Sequence, residues 1–272
     1  MTGESAQSDP SEAKDAVSSA PAGKSAGAVA GEAVNWAAGV AAAGLFYLSW
    51  IWAPVVAADG LDPISTYASE LAATDQPGSW FFRVSDLITG LLIAAAAGWR
   101  AHFREQGRAR WGWWALTAFG VATVADALAP LSCAPSADKV CAAKEAAFEL
   151  HWTHSAHVGT SVTASVAMMA AVVLVTLPLF LARRPAVTDG GRTAGLRMVL
   201  GASAAGYLLG TAWTMVEVSR ASIDWPWPAL LGIAQRFQVG SGSVWMLALA
   251  GLVFWGGLAA TRGGRAEERP DV

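Results

Sequence analysis

Residues 149–182 read ELHWTHSAHVGTSVTASVAMMAAVVLVTLPLFLA. The segment holds three of the four histidines of the chain, His151, His154 and His157, and after Glu149 it contains no Asp, Glu, Lys or Arg. An uncharged apolar run of ~20 residues has the length that a helix needs to cross the hydrocarbon core of a bilayer. The stretch therefore predicts a membrane-spanning helix that begins with a cluster of histidines.

The rest of the chain repeats this apolar pattern. Of its 272 residues, 54% are hydrophobic and 14% are charged, and the mean hydropathy is +0.40, which is typical of an integral membrane protein. Six apolar runs have about the ~20 residues that a span requires. They cover residues 34–58, 80–99, 111–131, 151–182, 196–218 and 229–260. We therefore predict an all-α, six-helix membrane bundle over residues 33–260.

The two ends of the chain lack this apolar pattern. Residues 1–32 are rich in Ala, Ser, Gly and acidic residues and contain no aromatic residue. Such a composition cannot bury enough apolar surface to offset the entropy lost on folding, so it predicts a disordered tail. Residues 261–272 are expected to form a second, short tail.

The distribution of positive residues predicts the orientation of the chain in a cell membrane. Arginines concentrate in the second and fourth connections and in the C-terminal tail: Arg100, Arg104, Arg108, Arg110, Arg183, Arg184, Arg192, Arg197, Arg262, Arg265 and Arg269. The first connection contains no Lys or Arg, and the third has only Lys139 and Lys144. Because positive residues stay on the cytoplasmic side, we predict that both termini are cytoplasmic. With a net charge of -3 and no basic block, nucleic acid is not an expected partner.

The two cysteines lie in the third connection, which this orientation places outside the cell. Cys133 and Cys141 flank the segment APSADKV. Thiols oxidise in extracellular compartments, so we predict a disulfide that closes a small loop. The alternative is a mixed metal site with the histidines downstream, since thiolates and imidazoles both bind zinc.

Ionisable residues gather near the outer ends of the predicted spans. Counted inward from the outer surface, they form one polar layer of Arg83, Asp86, Asp126, His151, His154, His157, Glu217, Arg220 and Arg236. Ionisable groups in a span are costly and usually face the bundle interior or a wet cavity, so the layer is a candidate binding site. A purely structural alternative fits as well, in which its carboxylates and arginines pair and hold the helices together.

The histidine cluster also suggests a metal site within this layer. Residues spaced three apart spread over a face of ~120° along two helical turns. One ion can then take at most two of the histidines with a carboxylate from another span, and the candidate ligands are His154, His157 and Asp126, with zinc as the metal. Histidines that instead hydrogen-bond to Glu145 or Glu149 need no metal.

Several segments carry a resemblance to a known family. They are ISTYASE at 64–70, FRVSDLITGLLI at 82–93, LSCAPSADKVC at 131–141 with HWTHSAHVGTS at 151–161, and GIAQRFQVGSGSVWMLAL at 232–249. Over roughly residues 35–260 the chain resembles the actinobacterial branch of DUF998, a family of multi-span proteins of unknown function. The resemblance implies a six-span bundle and offers no reaction.

Three classes of function remain open on these grounds. The first is a structural or partner subunit of another membrane protein, with an outer-leaflet polar cavity. The second is a binder or carrier of a small or lipid-like molecule, whose anionic group would meet Arg83, Arg220 and Arg236 while histidines relay protons. The third is an enzyme in which a metal-bound water attacks a lipid ester or amide in the outer leaflet.

Overall fold

The computed structural model describes residues 26–57, 61–107, 109–181, 191–222 and 230–267. Throughout these ranges the regular structure is helical, without a strand, so the predicted all-α class is confirmed. Two short 3-10 helices are η1 (Ser49–Trp52) and η2 (Ala68–Ala72). The α-helices of the described ranges are α1 (Ala26–Phe46), α2 (Ala53–Val56), α3 (Ser79–Phe103), α4 (Ala109–Leu128), α5 (Lys139–Ala146), α6 (Trp152–Leu181), α7 (Arg192–Ser222) and α8 (Leu231–Glu267).

Most of the long helices can cross a membrane. By length and composition α3, α6, α7 and α8 each qualify as a span, and α1 with η1 and α2 adds a fifth if the 44° bend between Gly31–Phe46 and Ser49–Val56 lies within one span. α4 falls short of the same hydropathy because its sequence contains three tryptophans and Asp126. The structure therefore supports a membrane protein, and the count of six spans stays a prediction.

The ends of the helices only partly cover the predicted tails and connections. α1 begins at Ala26 and α8 continues to Glu267, so both helices extend into the two predicted tails. Residues 1–25 and 268–272, the remainder of those tails, lie outside the described residues. The same holds for residues 58–60, 108, 182–190 and 223–229, which include Arg108, Arg183 and Arg184 of the charge pattern.

The six long helices form a closed ring. α1 packs against α3, α3 against α4, α4 against α6, α6 against α7 and α7 against α8, which returns to α1. Each helix contributes buried apolar side chains to one cluster at the centre, among them Val40, Ile93, Leu116, Met168, Leu200 and Trp245. The indole N–H of Trp245 donates to Thr176 Oγ1 over 2.8 Å, so this buried polar group is also satisfied.

α3 and α4 approach closely because glycines face each other at their contact. A Cβ atom added at Gly90 would lie 2.6 Å from the carbonyl oxygen of Gly120, and one added at Gly120 would lie 2.5 Å from the amide nitrogen of Ala94. Small residues let the backbones of membrane helices come together in this way. The pairing fixes Asp86 of α3 and Asp126 of α4 near the same end of the ring.

The other end of the ring is closed by an aromatic cluster. The guanidinium of Arg100 lies 5.4 Å from the ring centre of Trp36 and 4.5 Å from that of Trp113. Arg100 also pairs with Glu105 over 2.7 Å, and the indole N–H of Trp36 donates to the Ala96 carbonyl oxygen over 2.8 Å. These contacts stabilise the charge of Arg100 and pack this end of the ring with aromatic side chains.

Two connecting segments cover the end of the ring near Asp86 and Asp126. One runs from residue 61 to 78 and contains η2; the other runs from residue 129 to 151 and contains α5. Cys133 and Cys141 lie at disulfide distance in the second segment, with their Cα atoms 6.1 Å apart, as predicted. Thr74 joins the two segments, since its amide donates to the Leu131 carbonyl oxygen over 2.9 Å.

Candidate functional site

A polar cavity of about 90 Å³ lies beneath these connecting segments, inside the ring. Its lining comes from η1, η2 and all six long helices or their ends, so it is continuous with the centre of the fold. The polar residues that line it are Tyr47, Ser49, Ser69, Asp86, Thr123, Asp126, Ser161, Ser165, Tyr207, Gln235 and Gln238. A cavity of this volume has room for several water molecules.

Two carboxylates enter this cavity with different surroundings. Asp126 accepts hydrogen bonds from the hydroxyls of Thr160, over 2.5 Å, and Ser161, over 3.0 Å. Both hydroxyls lie one turn after His157 on α6, whose Nδ1 is 3.4 Å from Asp126 Oδ1. Asp86 has no hydrogen-bond donor among the described residues. The cavity thus contains one carboxyl group, Asp126, that accepts hydrogen bonds from protein hydroxyls. The other, Asp86, accepts none from the described residues.

His157 is buried beside Asp126. Its Nδ1 lies 3.1 Å from the carbonyl oxygen of Ala129 and 3.3 Å from that of Asp126, so this nitrogen carries a proton. Its Nε2 is buried and has no partner within the described part of the chain. His157 therefore holds the end of α4 in place through these hydrogen bonds. An imidazolium at this position would also balance the charge of Asp126.

His154 is bound on both ring nitrogens. Nδ1 accepts the amide hydrogen of Ser132 over 3.1 Å, which places the proton on Nε2, 3.1 Å from Glu145 Oε1. Its side chain is only 1% exposed. His154 thereby connects α6 to the second connecting segment, here called the disulfide segment, both at Ser132 and at α5. His151, in contrast, is exposed and contacts Thr153 and Trp152.

The proposed metal ligands do not form a donor cluster here. Across residues 26–57, 61–107, 109–181, 191–222 and 230–267, no three His, Cys, Asp or Glu side chains are placed to hold one ion. His154 faces Glu145, whereas His157 faces Asp126. A metal on His154 would have to displace the Ser132 or Glu145 hydrogen bond. The zinc set of His154, His157 and Asp126 thus has no geometric support among these residues.

Arg83 and Arg236 of the predicted polar layer contact backbone carbonyl oxygens, and Arg220 contacts the carboxylate of Glu217. None of these three arginines lines the cavity. Arg83 donates through Nε to the Ala127 carbonyl oxygen over 3.2 Å. Arg236 donates through one nitrogen to the carbonyl oxygens of Pro63 and Thr66, over 3.0 and 2.8 Å. Arg220 pairs with Glu217 over 3.1 Å. These side chains hold the helix ends and the first connecting segment in place.

Glu217 anchors the start of α8 to the end of α7. Its side chain is 1% exposed and accepts from the indole N–H of Trp213 and from the amide of Leu230, each over 3.1 Å. Of the polar layer, the structure therefore brings Asp86 and Asp126 together at the cavity, with His157 behind them in contact with Asp126. Glu217, Arg220, Arg236, Arg83, His151 and His154 lie around it in separate contacts.

η2 forms the roof of the cavity and carries a buried carboxyl group. Ala68, Ser69 and Ala72 line the cavity, and Gln235 Oε1 accepts the amide hydrogen of Ala68 over 2.5 Å. The Glu70 side chain points away from the lining into the second connecting segment, where it accepts from Ser136. Burial raises the pKa of Glu70, although its hydrogen bonds act in the opposite direction.

Several site residues could not be recognised from the sequence. Thr160 and Ser161 follow His157 by one turn, and this spacing is the one signal that links their hydroxyls to the polar layer. Tyr47, Tyr207 and Gln238 lie in apolar runs and have no distinguishing pattern. Glu70 lies in the segment ISTYASE, which has no long apolar run, and only the tertiary structure buries it.

Together the ring and its contents define a helical membrane protein with an acidic cavity at one end. The model of the family described as "Protein of unknown function (DUF998)" matches residues 40–252, more than half of the chain. The protein therefore belongs to the DUF998 family, as its sequence resemblance predicts, and its place in the actinobacterial branch stays a prediction. No curated protein and no solved structure matches the chain.

Proposed function

We propose that the protein is a six-span component of the cell membrane, with both termini in the cytoplasm and the cavity opening toward the outer surface. The spanning domain covers residues 33–260, flanked by cytoplasmic tails at 1–32 and 261–272. Two observations support this arrangement. α3 and α4 run in opposite directions, since Gly90 lies against Gly120 and Gly98 against Thr117, and Arg100 lies at the end of the ring opposite the cavity.

This topology predicts which connections react from outside the cell. A single cysteine placed at Gly107, in the connection between α3 and α4, is expected to be protected from a membrane-impermeant thiol reagent in intact cells. A cysteine at Phe148, which is 86% exposed in the disulfide segment, is expected to react. The reverse pattern would overturn the proposed orientation, and disruption of the cells with detergent serves as the control for reactivity at residue 107.

We further propose that the cavity binds a small organic cation. The observation that carries this proposal is the charge of its lining: Asp86 and Asp126 enter it, while no Lys, Arg or His is among its described lining residues. His157 can balance one carboxylate at most, which leaves the other without a counter-charge. An ionised carboxyl group without a counter-charge inside a bundle is costly, so it either takes up a proton or pairs with a bound cation, and a cation that binds here stabilises the ionised form.

The remaining lining suits an ammonium group. Tyr47, Trp50 and Tyr207 border the same cavity as the two carboxylates. Aromatic faces attract cations, and they do so more strongly where water is excluded. The hydroxyl oxygens of Ser161 and Ser165 and the side-chain carbonyl oxygen of Gln238 supply acceptors for N–H groups. The source of the ammonium group is either a free amine or the headgroup of an outer-leaflet lipid.

The other candidate functions explain less of the structure. A purely structural or partner-subunit role accounts for Arg83, Glu217 and Arg236, which secure helix ends and connections. It does not explain why the Asp86 carboxyl group, which has no hydrogen-bond donor among the described residues, lies in a polar cavity. A zinc-dependent hydrolase would require His154 to give up one of the two contacts that hold the disulfide segment. Cation binding in the cavity does not require either of these His154 contacts to break.

A panel of small solutes tests the cation proposal. We expect ethanolammonium and methylammonium to raise the thermal unfolding temperature of the purified protein, since a ligand that binds only the folded state stabilises it by mass action. Ethylene glycol, the neutral counterpart of ethanolammonium, and acetate are expected to have no effect. Equal responses to all four solutes would contradict the proposal. Nanodiscs of phosphatidylethanolamine and of phosphatidylglycerol then distinguish a lipid headgroup from a free amine.

A further inference from the structure

η2, in the first connecting segment, lies between the cavity and the second connecting segment. Its residues Ala68, Ser69 and Ala72 line the cavity, so a movement of this segment would widen the way into it. One face of η2 is held by Gln235, which accepts the amide hydrogens of Ala68 and Ser69. The opposite face is held by Glu70, which reaches the disulfide segment.

The contact of Glu70 is unusual for a carboxyl group because it is fully buried. Its side chain has 0% exposure, and Oε1 accepts the amide hydrogen of Ser136 over 2.8 Å. Oε2 contacts the hydroxyl of Ser136 and accepts the amide hydrogen of Tyr67, over 3.1 Å for the latter. No Lys, Arg or His forms an ion pair with Glu70 in the described ranges.

The charged and titratable groups that face Glu70 do not compensate a negative charge well. Tyr67 belongs to the same segment, and Glu145 of α5 is a second carboxylate that acts on it. Arg236 of α8 interacts with Glu70 only at a distance, since it is bound to carbonyl oxygens. On α3, Arg83 contacts a carbonyl oxygen and Asp86 faces the cavity.

The neutral carboxyl group fits the closed arrangement better than the ionised one. When protonated, Glu70 can donate from Oε2 to the hydroxyl oxygen of Ser136, because a serine hydroxyl both donates and accepts. Oε1 still accepts the amide hydrogen of the same residue. No net charge is then buried. The ionised form keeps its hydrogen bonds but places an unpaired charge beside Glu145, at a cost that exposure to water removes.

We propose that η2 is a lid over the cavity and that Glu70 makes the lid pH-dependent, closed while its carboxyl group is protonated and released when that group ionises. This inference rests on the proposed binding cavity and adds the control of access to it. The sign agrees with linkage: burial raises the pKa of Glu70 in the closed state, so closure is favoured below its ordinary pKa and weakens as pH rises through the raised value.

Access to the cavity can be measured without any ligand. Both native cysteines are in the disulfide, so Ser165→Cys places one free thiol in the cavity lining. A second protein with Ser219→Cys places one on an exposed part of α7. The rate of reaction with a small neutral thiosulfonate is measured for both between pH 5 and 8. Their ratio cancels the common pH dependence of thiolate formation, since each rate changes tenfold per unit below the thiol pKa.

We expect this ratio to rise with pH by about tenfold in the parent background, with a slope of no more than tenfold per pH unit because one proton is involved. Glu70→Gln removes the ionisable group, although its amide nitrogen cannot accept the Tyr67 amide hydrogen, and it is expected to make the ratio independent of pH. Glu70→Ala removes the contact and is expected to keep it high at every pH. Glu149→Gln, at an exposed carboxyl group of the second connecting segment, is expected to behave as the parent.

A ratio that stays constant with pH in the parent protein would overturn the lid proposal, even if the Glu70 variants do not fold. A ratio that rises with pH in Glu70→Gln as it does in the parent would also overturn it. Because the reagent is neutral and no cation is added, these outcomes are independent of whether the cavity binds ammonium ions. Failure of the solute panel would leave the lid measurement intact, and the reverse also holds.

Discussion

Gly120→Ala is expected to destabilise the helix ring by about 1–3 kcal/mol, the usual range for overpacking a core. The added Cβ atom would lie 2.5 Å from the amide nitrogen of Ala94 and 2.8 Å from the carbonyl oxygen of Gly90. Both are backbone atoms, so α3 and α4 must separate to admit it. Gly120→Leu is expected to prevent assembly of the ring. Thermal unfolding followed by tryptophan fluorescence measures both effects.

The matched control lies on the same pair of helices. A Cβ atom at Gly98 meets its nearest heavy atom, Thr117 Cγ2, at 3.5 Å, which is an ordinary contact. Alanine there is expected to leave the unfolding temperature unchanged or to raise it, because alanine favours a helix more than glycine does. If Gly120→Ala melts at or above the temperature of Gly98→Ala, the close approach of α3 and α4 is not a feature of the folded protein.

Asp86→Asn is expected to weaken cation binding by roughly thirtyfold or more, since removing one partner of a buried charge contact costs about 2–5 kcal/mol. Asparagine has nearly the shape of aspartate, so the cavity should keep its form. Asp126→Asn is expected to have a similar effect on binding and an additional one on stability. Ser161 shares its hydroxyl hydrogen between both carboxylate oxygens, and an amide nitrogen at either position cannot accept it.

The helical part of the fold could be predicted from the sequence because its signal is local. A run such as residues 151–182 is apolar and free of charge over the length of a span, and α6 occupies Trp152–Leu181. The disulfide was predictable for a similar reason, since two cysteines eight residues apart in a connection have few other partners. In both cases composition and spacing contain the information without any knowledge of the packing.

The depth of Asp86 and Asp126 was also within reach of the sequence, because counting residues along two consecutive spans brings them to one level. The direction of a side chain around its helix was not. His154 and His157 are three residues apart, yet one faces Glu145 and the other faces Asp126. The helix ring determines which partner each meets, and six helices can be arranged in many orders with the same apolar runs.

The roles of charged residues in the connections depended even more on tertiary structure. Arg236 looks like an anion-binding group in the sequence, but it binds the carbonyl oxygens of Pro63 and Thr66, far away along the chain. Glu70 shows no sign of burial in the sequence, but it is buried against Ser136. Such contacts form only when distant connections meet, and neither composition nor periodicity indicates them.

Isothermal titration of the purified protein with ethanolammonium chloride tests the central claim most directly. The parent protein is expected to bind one cation per chain, Asp86→Asn to lose roughly thirtyfold or more in affinity, and Asp75→Asn to bind as the parent does. Asp75 is an exposed carboxylate of the first connecting segment and does not line the cavity. Saturable binding that survives Asp86→Asn unchanged, or no binding to a folded parent protein, would contradict the account.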